Sequence, residues 1–176
     1  YLATYADVLH IDKNRIVTSG HSAGGHLSLM LAVATPHRFQ KDNLYPEADF
    51  QVIGSAPLSP GTYFYAMDSQ TAPYSFDIDN LFGGDDRLRH LCSPYDYINK
   101  DTVPTLLIYG DSDPLVFPAN SLKFHQKCLE VGAKSQLIAV QCGGHSFECM
   151  AEGQSTNMTF EDTQQAVVGF VLELVK

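Results

Sequence analysis

The chain has 176 residues, 44% of them hydrophobic, with 20 acidic and 11 Lys/Arg side chains and a formal charge of −9. That is the size of one domain with an ordinary core, and a field of this sign disfavours nucleic acid and anionic membranes as partners. No long polar or charged run argues for disorder, and no apolar stretch approaches the ~18–20 residues that span a bilayer.

In chain order, Leu2, Tyr5, Ala6 and Leu9 stand at helical spacing, so the first residues read as the end of a helix. Asp12-Lys13-Asn14 forms a polar turn. Ile16-Val17-Thr18 reads as a short buried strand, and Gly20 to Gly25 as a tight turn. The helix that follows has Leu27, Met30, Leu31 and Ala34 along one face, and Pro36 stops it. Val52 to Ser55 reads as a second strand. From Pro57 to about Asp101, prolines (Pro57, Pro60, Pro73, Pro94) and aromatics (Tyr63, Phe64, Tyr65, Tyr74, Phe76) break the pattern over a length too great for an ordinary loop. A cap-like insertion with short helices is the expectation there.

Regular alternation then resumes. Thr105–Tyr109 is the strongest strand. Ala119–Val131 is a helix with Leu122, His125, Cys128 and Leu129 facing inward and Gly132 as its stop. Leu137–Val140 is another strand. Thr159 caps a last helix, whose apolar stripe is Phe160, Val167, Phe170, Val171 and Leu174. Strands alternating with helices predict a parallel sheet covered on both faces.

Gly20-His21-Ser22-Ala23-Gly24 matches G-x-S-x-G between a strand and a helix, the context that gives the motif its meaning. A nucleophilic hydroxyl must project from strained backbone at the sheet edge, and glycines two residues to either side leave room for that turn. The Ala23 N–H, at the helix N-terminus, is placed to stabilise an oxyanion. A serine hydroxyl needs a base, and the base needs an orienting acid. In this arrangement they follow in the order Ser, acid, His. Gly110-Asp111-Ser112-Asp113-Pro114 ends the strongest strand and offers two carboxylates. Asp113 is the candidate acid, and Asp111 is read as bracing the turn through backbone hydrogen bonds. His145 in Gly143-Gly144-His145-Ser146-Phe147 is the candidate base. His10, His37, His90 and His125 are read as surface or packing residues. His21 is read as lining the pocket and His26 as packing behind the nucleophile.

The four cysteines, Cys92, Cys128, Cys142 and Cys149, do not follow a disulfide framework. Free thiols, and with them a cytoplasmic location, are the expectation; the spacing leaves a Cys142–Cys149 bridge open. Cys142, His145 and Cys149 do not match a zinc pattern, so neither metal nor cofactor is expected. Nothing in the sequence sets an oligomeric state.

Gly20-His21-Ser22-Ala23-Gly24-Gly25-His26-Leu27 resembles the elbow of the acetyl esterase/lipase and feruloyl-esterase-like (BD-FAE-like) branch of the α/β-hydrolases. Pro104 to Val116 resembles its acid segment, Gly143 to Phe147 its histidine loop, and Ser93-Pro94 also fits. The resemblance implies a single α/β-hydrolase domain over 1–176, a mostly parallel sheet flanked by helices with the cap-like insertion near 57–101. It also implies Asp113 as the triad acid. The activity implied is that of a serine esterase cleaving a small-molecule carboxylic ester through an acyl-enzyme. Amide or formamide hydrolysis, kynurenine-formamidase-like or peptidase, is the alternative; the second glycine and the following histidine favour the ester and formamide side. From another class comes a non-catalytic interaction module, against which an intact set of Ser22, Asp113 and His145 argues. Family members carry an upstream His-Gly-Gly-type loop with further oxyanion donors, which the 21 residues before Ser22 do not contain. The expectation is therefore the C-terminal portion of a longer enzyme, with N-terminal strands missing.

Overall fold

A computed structural model describes residues 1–34, 48–65 and 78–176. Helix α1 (Ala6–Leu9) leads into strand β1 (Ile16–His21) and helix α2 (Ala23–Val33). Strand β2 (Val52–Leu58), short helices α3 (Ile78–Phe82) and α4 (Asp86–Leu91), and a 3-10 turn at Pro94–Tyr97 follow. Then come β3 (Thr105–Gly110), α5 (Ala119–Glu130), β4 (Ser135–Val140) and α6 (Phe160–Leu174).

The four strands make one parallel sheet in the order β1-β2-β3-β4, as the alternation of strands and helices predicts. His21 pairs with Leu58, Leu58 with Ile108, and Gly110 with Val140. The C-terminal ends of the strands therefore line one edge of the sheet, the place where parallel sheets hold their sites.

Strand β3 shows why both faces must be covered. Leu107 packs with Leu29 of α2 and with Phe124 and Cys128 of α5. Its neighbours Leu106 and Ile108 point the other way, into a cluster with Ala56, Leu58, Val140, Phe147 and Phe170 of α6. A strand buried on both faces reads as an unbroken apolar run rather than an alternating one, which is the pattern of Thr105–Tyr109. Helix α6 starts at a capping box: Thr159 Oγ1 accepts from the Asp162 N–H at 3.1 Å, and Asp162 Oδ2 accepts from the Thr159 N–H at 2.8 Å.

The helix faces differ from the expected ones. On α2 the inward residues are Gly25, Ser28 and Leu29, while Leu27 and Leu31 are 65% and 52% exposed. Small residues let this helix lie close to β1, where Thr18 Oγ1 donates to the Ser28 carbonyl at 3.0 Å. Apolar spacing alone does not register that close approach. On α5 the inward face is Ser121, Phe124 and Cys128, with Leu122 and Leu129 exposed. Only Cys128 of the expected stripe is fully buried; His125 is half-buried, its Nδ1 2.9 Å from Ser135 Oγ. On α6 Phe170 is buried and Val167 and Leu174 pack against its cluster, but Phe160 is exposed.

Strand β2 runs to Leu58, three residues past Ser55, so the segment expected as an insertion from 57 begins inside the sheet. Residues 59–64 stay buried beyond it. They are held from α5, where Asn120 Oδ1 accepts from the Thr62 N–H at 2.9 Å and the Asn120 carbonyl accepts from Thr62 Oγ1 at 2.8 Å. Pro36, His37, Pro73, Tyr74 and Phe76 lie outside the described residues. Among the described residues, no helix is long and apolar enough to cross a membrane.

Candidate active site

Ser22 joins β1 to α2 at φ 57° and ψ −120°, a conformation that costs a side-chain-bearing residue roughly 1–3 kcal/mol and persists only where the surroundings enforce it. The enforcement is visible in the backbone. The Ser22 N–H donates to the Leu58 carbonyl at 2.9 Å, and its own carbonyl accepts from His26 N–H at 2.9 Å as the first bond of the helix. The glycines explain the tightness, though not in the symmetric way the motif suggests. A Cβ on Gly20 would lie 2.5 Å from the backbone carbon and oxygen of Gly24, and one on Gly25 would lie 3.0 Å from the Gly20 carbonyl. One on Gly24 would meet nothing within 4 Å.

The three candidate side chains come together at the C-terminal edge of the sheet. His145 Nε2 is 2.8 Å from Ser22 Oγ, and His145 Nδ1 is 2.8 Å from Asp113 Oδ2. The Asp113 side chain is 1% exposed and that of His145 16%. A carboxylate only accepts, so Nδ1 of His145 carries the proton and Nε2 is free to accept from the serine hydroxyl.

Asp113 does a second job that was expected of Asp111. Its Oδ1 accepts from the N–H groups of Leu115 at 2.8 Å and Val116 at 3.0 Å, closing the turn after β3. Asp111 is exposed, and its carboxylate takes the Ser112 hydroxyl at 3.0 Å. Turn bracing thus falls to the buried carboxylate, which is fixed at one oxygen by the backbone and at the other by His145.

The acid and histidine turns are stapled to each other. The Asp111 N–H donates to the Val140 carbonyl at 3.1 Å and the Ser112 N–H to the Gly143 carbonyl at 3.0 Å. Gly110 sits under this contact, where a Cβ would stand 2.2 Å from the Gly143 oxygen and 2.3 Å from the Gly144 oxygen.

The backbone of His145 is gripped as well as its ring. Its carbonyl oxygen lies 2.7 Å from His21 Nε2 and accepts from Ser59 Oγ at 3.1 Å. The His21 and His145 rings are tilted against each other, with centroids 4.8 Å apart. Ser59 is buried, stands at φ 43° just past β2, and donates its N–H to the Ile108 carbonyl at 2.8 Å. Sequence reasoning missed Ser59; the one signal near it is its place directly after a strand end, between Leu58 and Pro60. His26 turns away from Ser22. Its Nε2 lies 2.8 Å from the Cys92 carbonyl and its ring meets Phe64 edge-on, tying α2 to the segment before β3. Burial holds its pKa below the ordinary value.

Ala23 is the first residue of α2, so its N–H has no acceptor within the helix. Among the described residues, no group of three or more His, Cys, Asp or Glu side chains is placed to hold a metal ion.

The family model named BD-FAE matches residues 1–128. The chain belongs to the BD-FAE family. Among curated proteins, none matches the sequence. Solved structures of similar fold include a truncated carbohydrate esterase from gut microbiota, at a TM-score of 0.77 and 22% identity, covering 100% of this chain and 65% of that one. The butyrate-bound esterase Est2 of the planctomycete Thermogutta terrifontis matches at 0.74 and 20% identity, over 98% of this chain and 61% of that one. Est2 phosphonylated by sarin matches at 0.75 and 20% identity, with 98% and 61% covered. At these identities the likeness establishes the α/β-hydrolase fold for this BD-FAE chain. The chain spans less than two thirds of the length of these structures.

Proposed function

We propose that this BD-FAE chain carries the catalytic residues of a serine esterase that cleaves carboxylic esters through an acyl-enzyme. The observation behind this reading is the unbroken line of two 2.8 Å hydrogen bonds from a buried carboxylate, through an imidazole, to a hydroxyl on strained backbone. Ser22 Oγ attacks the ester carbonyl while His145 Nε2 takes its proton. The imidazolium that forms is stabilised by the Asp113 carboxylate, and the Ala23 N–H donates to the tetrahedral oxyanion. His145 then gives the proton to the departing alcohol, and water repeats the sequence on the acyl group. The two turn N–H groups on Asp113 Oδ1 hold that carboxylate in one orientation for both half-reactions.

A protein of the same fold takes a phosphonyl group from sarin and another structure of it holds butyrate. A fluorophosphonate probe and short-chain nitrophenyl esters are therefore the reagents of choice. Labelling is expected at Ser22 and nowhere in Ser22→Ala, with esters turned over in preference to aryl formamides and peptides. Equal labelling of Ser22→Ala would remove the nucleophile, and faster cleavage of formamides or peptides would move the reading to amide bonds.

A further inference from the structure

Cys142 and Cys149 bracket the loop that carries His145. The backbone pinches this loop at its base: Gly143 and Cys149 form an antiparallel bridge, and the Met150 N–H donates to the Cys142 carbonyl at 2.8 Å. Inside it, the Gly144 N–H donates to the Glu148 carbonyl at 2.8 Å. In regular antiparallel pairing, Cys142 would stand opposite Met150 and its side chain would leave the ribbon on the face away from that of Cys149. Cys142 instead adopts φ 59°, the left-handed region that side-chain-bearing residues seldom enter. That break in alternation brings the two thiols to one side, with their sulfurs 2.8 Å apart. Bonded sulfurs lie about 2.05 Å apart, so the pair needs only a small further approach. Both residues are half-exposed and open to a small reagent.

We infer that Cys142 and Cys149 are a reversible cross-linking site, a dithiol that closes to a disulfide and ties the base of the loop carrying His145. The hydrogen bond shared with Cys149 holds the Cys142 pKa below the ordinary value, which favours Cys142 as the attacking sulfur. Cys128 is the contrast: it is buried in the core, and burial pushes its pKa up to about 11.

The oxidant is a low-molecular-weight disulfide such as glutathione disulfide. The Cys142 thiolate attacks one of its sulfurs, that S–S bond breaks, and one glutathione leaves as a thiolate and takes up a proton. Cys149, deprotonated in turn, attacks the Cys142 sulfur of the mixed disulfide and expels the second glutathione. The two protein thiols lose two electrons and two protons, and the small disulfide gains them as two thiols. The cross-link stands apart from the esterase reading.

The test equilibrates the protein with glutathione disulfide, blocks remaining thiols under denaturing conditions, and cleaves the chain after Phe147. The expected product is a pair of fragments joined through Cys142 and Cys149, with Cys92 and Cys128 blocked. The melting temperature of the oxidised protein should rise by about 5 °C or more relative to the reduced form. Cys149→Ser should instead keep glutathione on Cys142 and show no such rise. Blocked Cys142 and Cys149 in the oxidised wild type, a persistent mixed disulfide there, or a bond to Cys92 would each overturn the proposal. So would an unchanged melting temperature in fully cross-linked protein. These readouts are mass and stability, so an inactive Ser22 would leave them untouched.

Discussion

His21 Nε2 donates to the carbonyl oxygen of His145 at 2.7 Å, so the residue before Ser22 grips the backbone of the residue whose ring reaches Ser22. A carbonyl only accepts, which places the His21 proton on Nε2. Ser59 Oγ donates to the same oxygen at 3.1 Å. Each donor backs up the other. Replacing either by alanine should lower kcat about 5–10-fold with KM little changed, the worth of one hydrogen bond. Losing both should cost more than the product of the single effects, because the loop then has no side-chain anchor on that carbonyl. His21→Gln, which keeps an N–H donor, should recover part of the loss. Steady-state kinetics on the four variants decides the matter: a change confined to KM would mean that His21 and Ser59 shape the pocket rather than position His145.

Asp113→Asn separates the two jobs of that carboxylate. The amide oxygen still accepts from Leu115 and Val116, so the turn stays closed. The amide nitrogen now faces His145 Nδ1 and forces the proton onto Nε2, the wrong tautomer for accepting from Ser22. The variant should melt close to wild type yet lose about 10⁴ in kcat, the cost of the corresponding change in a serine protease. Asp111→Asn should leave kcat within about twofold, since its exposed carboxylate takes the Ser112 hydroxyl while that of Asp113 meets His145. Ser22→Ala should lose about 10⁶. Kinetics and thermal melts on the three variants check the order, and a larger loss in Asp111→Asn than in Asp113→Asn would reassign the acid.

These residues differ in how readable they are. Ser22, Asp113 and His145 were legible because each sits in a short motif at the end of a strand, and a parallel sheet brings strand ends to one edge. The sheet itself was legible in runs such as Thr105–Tyr109, and the last helix in the cap at Thr159. Ser59 and Gly110 were not, because their roles are contacts with the histidine loop that no local pattern encodes. The division of labour between Asp111 and Asp113 depended on which carboxylate the turn buries, and spacing is silent on that. The inward faces of α2 and α5 were misjudged at Leu27, Leu31, Leu122 and Leu129, because periodicity counts apolar residues. The packing there instead selects small ones such as Gly25, Ser28 and Ser121.

The elbow glycines make a prediction that the motif alone would not. Gly20→Ala drives a Cβ into the Gly24 backbone, which cannot yield without opening the turn that holds Ser22. A loss of about 1–3 kcal/mol in stability is expected, with turnover falling further because Ser22 moves. Gly24→Ala meets open space within a helix and should hold or gain stability, by up to about 1 kcal/mol. Denaturant melts compare the two. Equal destabilisation would show that the elbow is limited by Gly24 conformation and not by the contact at Gly20.

Stability should also carry a signature of His26. Its burial in the folded chain disfavours the charged imidazole, with the bond to the Cys92 carbonyl opposing that in part, and the net pKa lies below the ordinary 6.5. The unfolded chain therefore binds more protons than the folded one once pH drops below 6.5, and stability rises with pH across that window. The His26 contribution is fully present above 6.5 and is lost as pH falls toward the folded value. His125, also lowered by burial, acts in the same direction. The hydrogen-bonded carboxylates of Asp12 and Asp162 are held below their ordinary 3.8 and lose their contribution only in more acid solution, so the histidine window is separable. Melting temperatures between pH ~7.5 and ~5 should fall for wild type and fall less for His26→Gln. His125→Gln should show a similar flattening, and the double variant a flatter profile than either. If His26→Gln keeps the full wild-type slope, the imidazole is protonated equally in both states and its burial does not act on the fold.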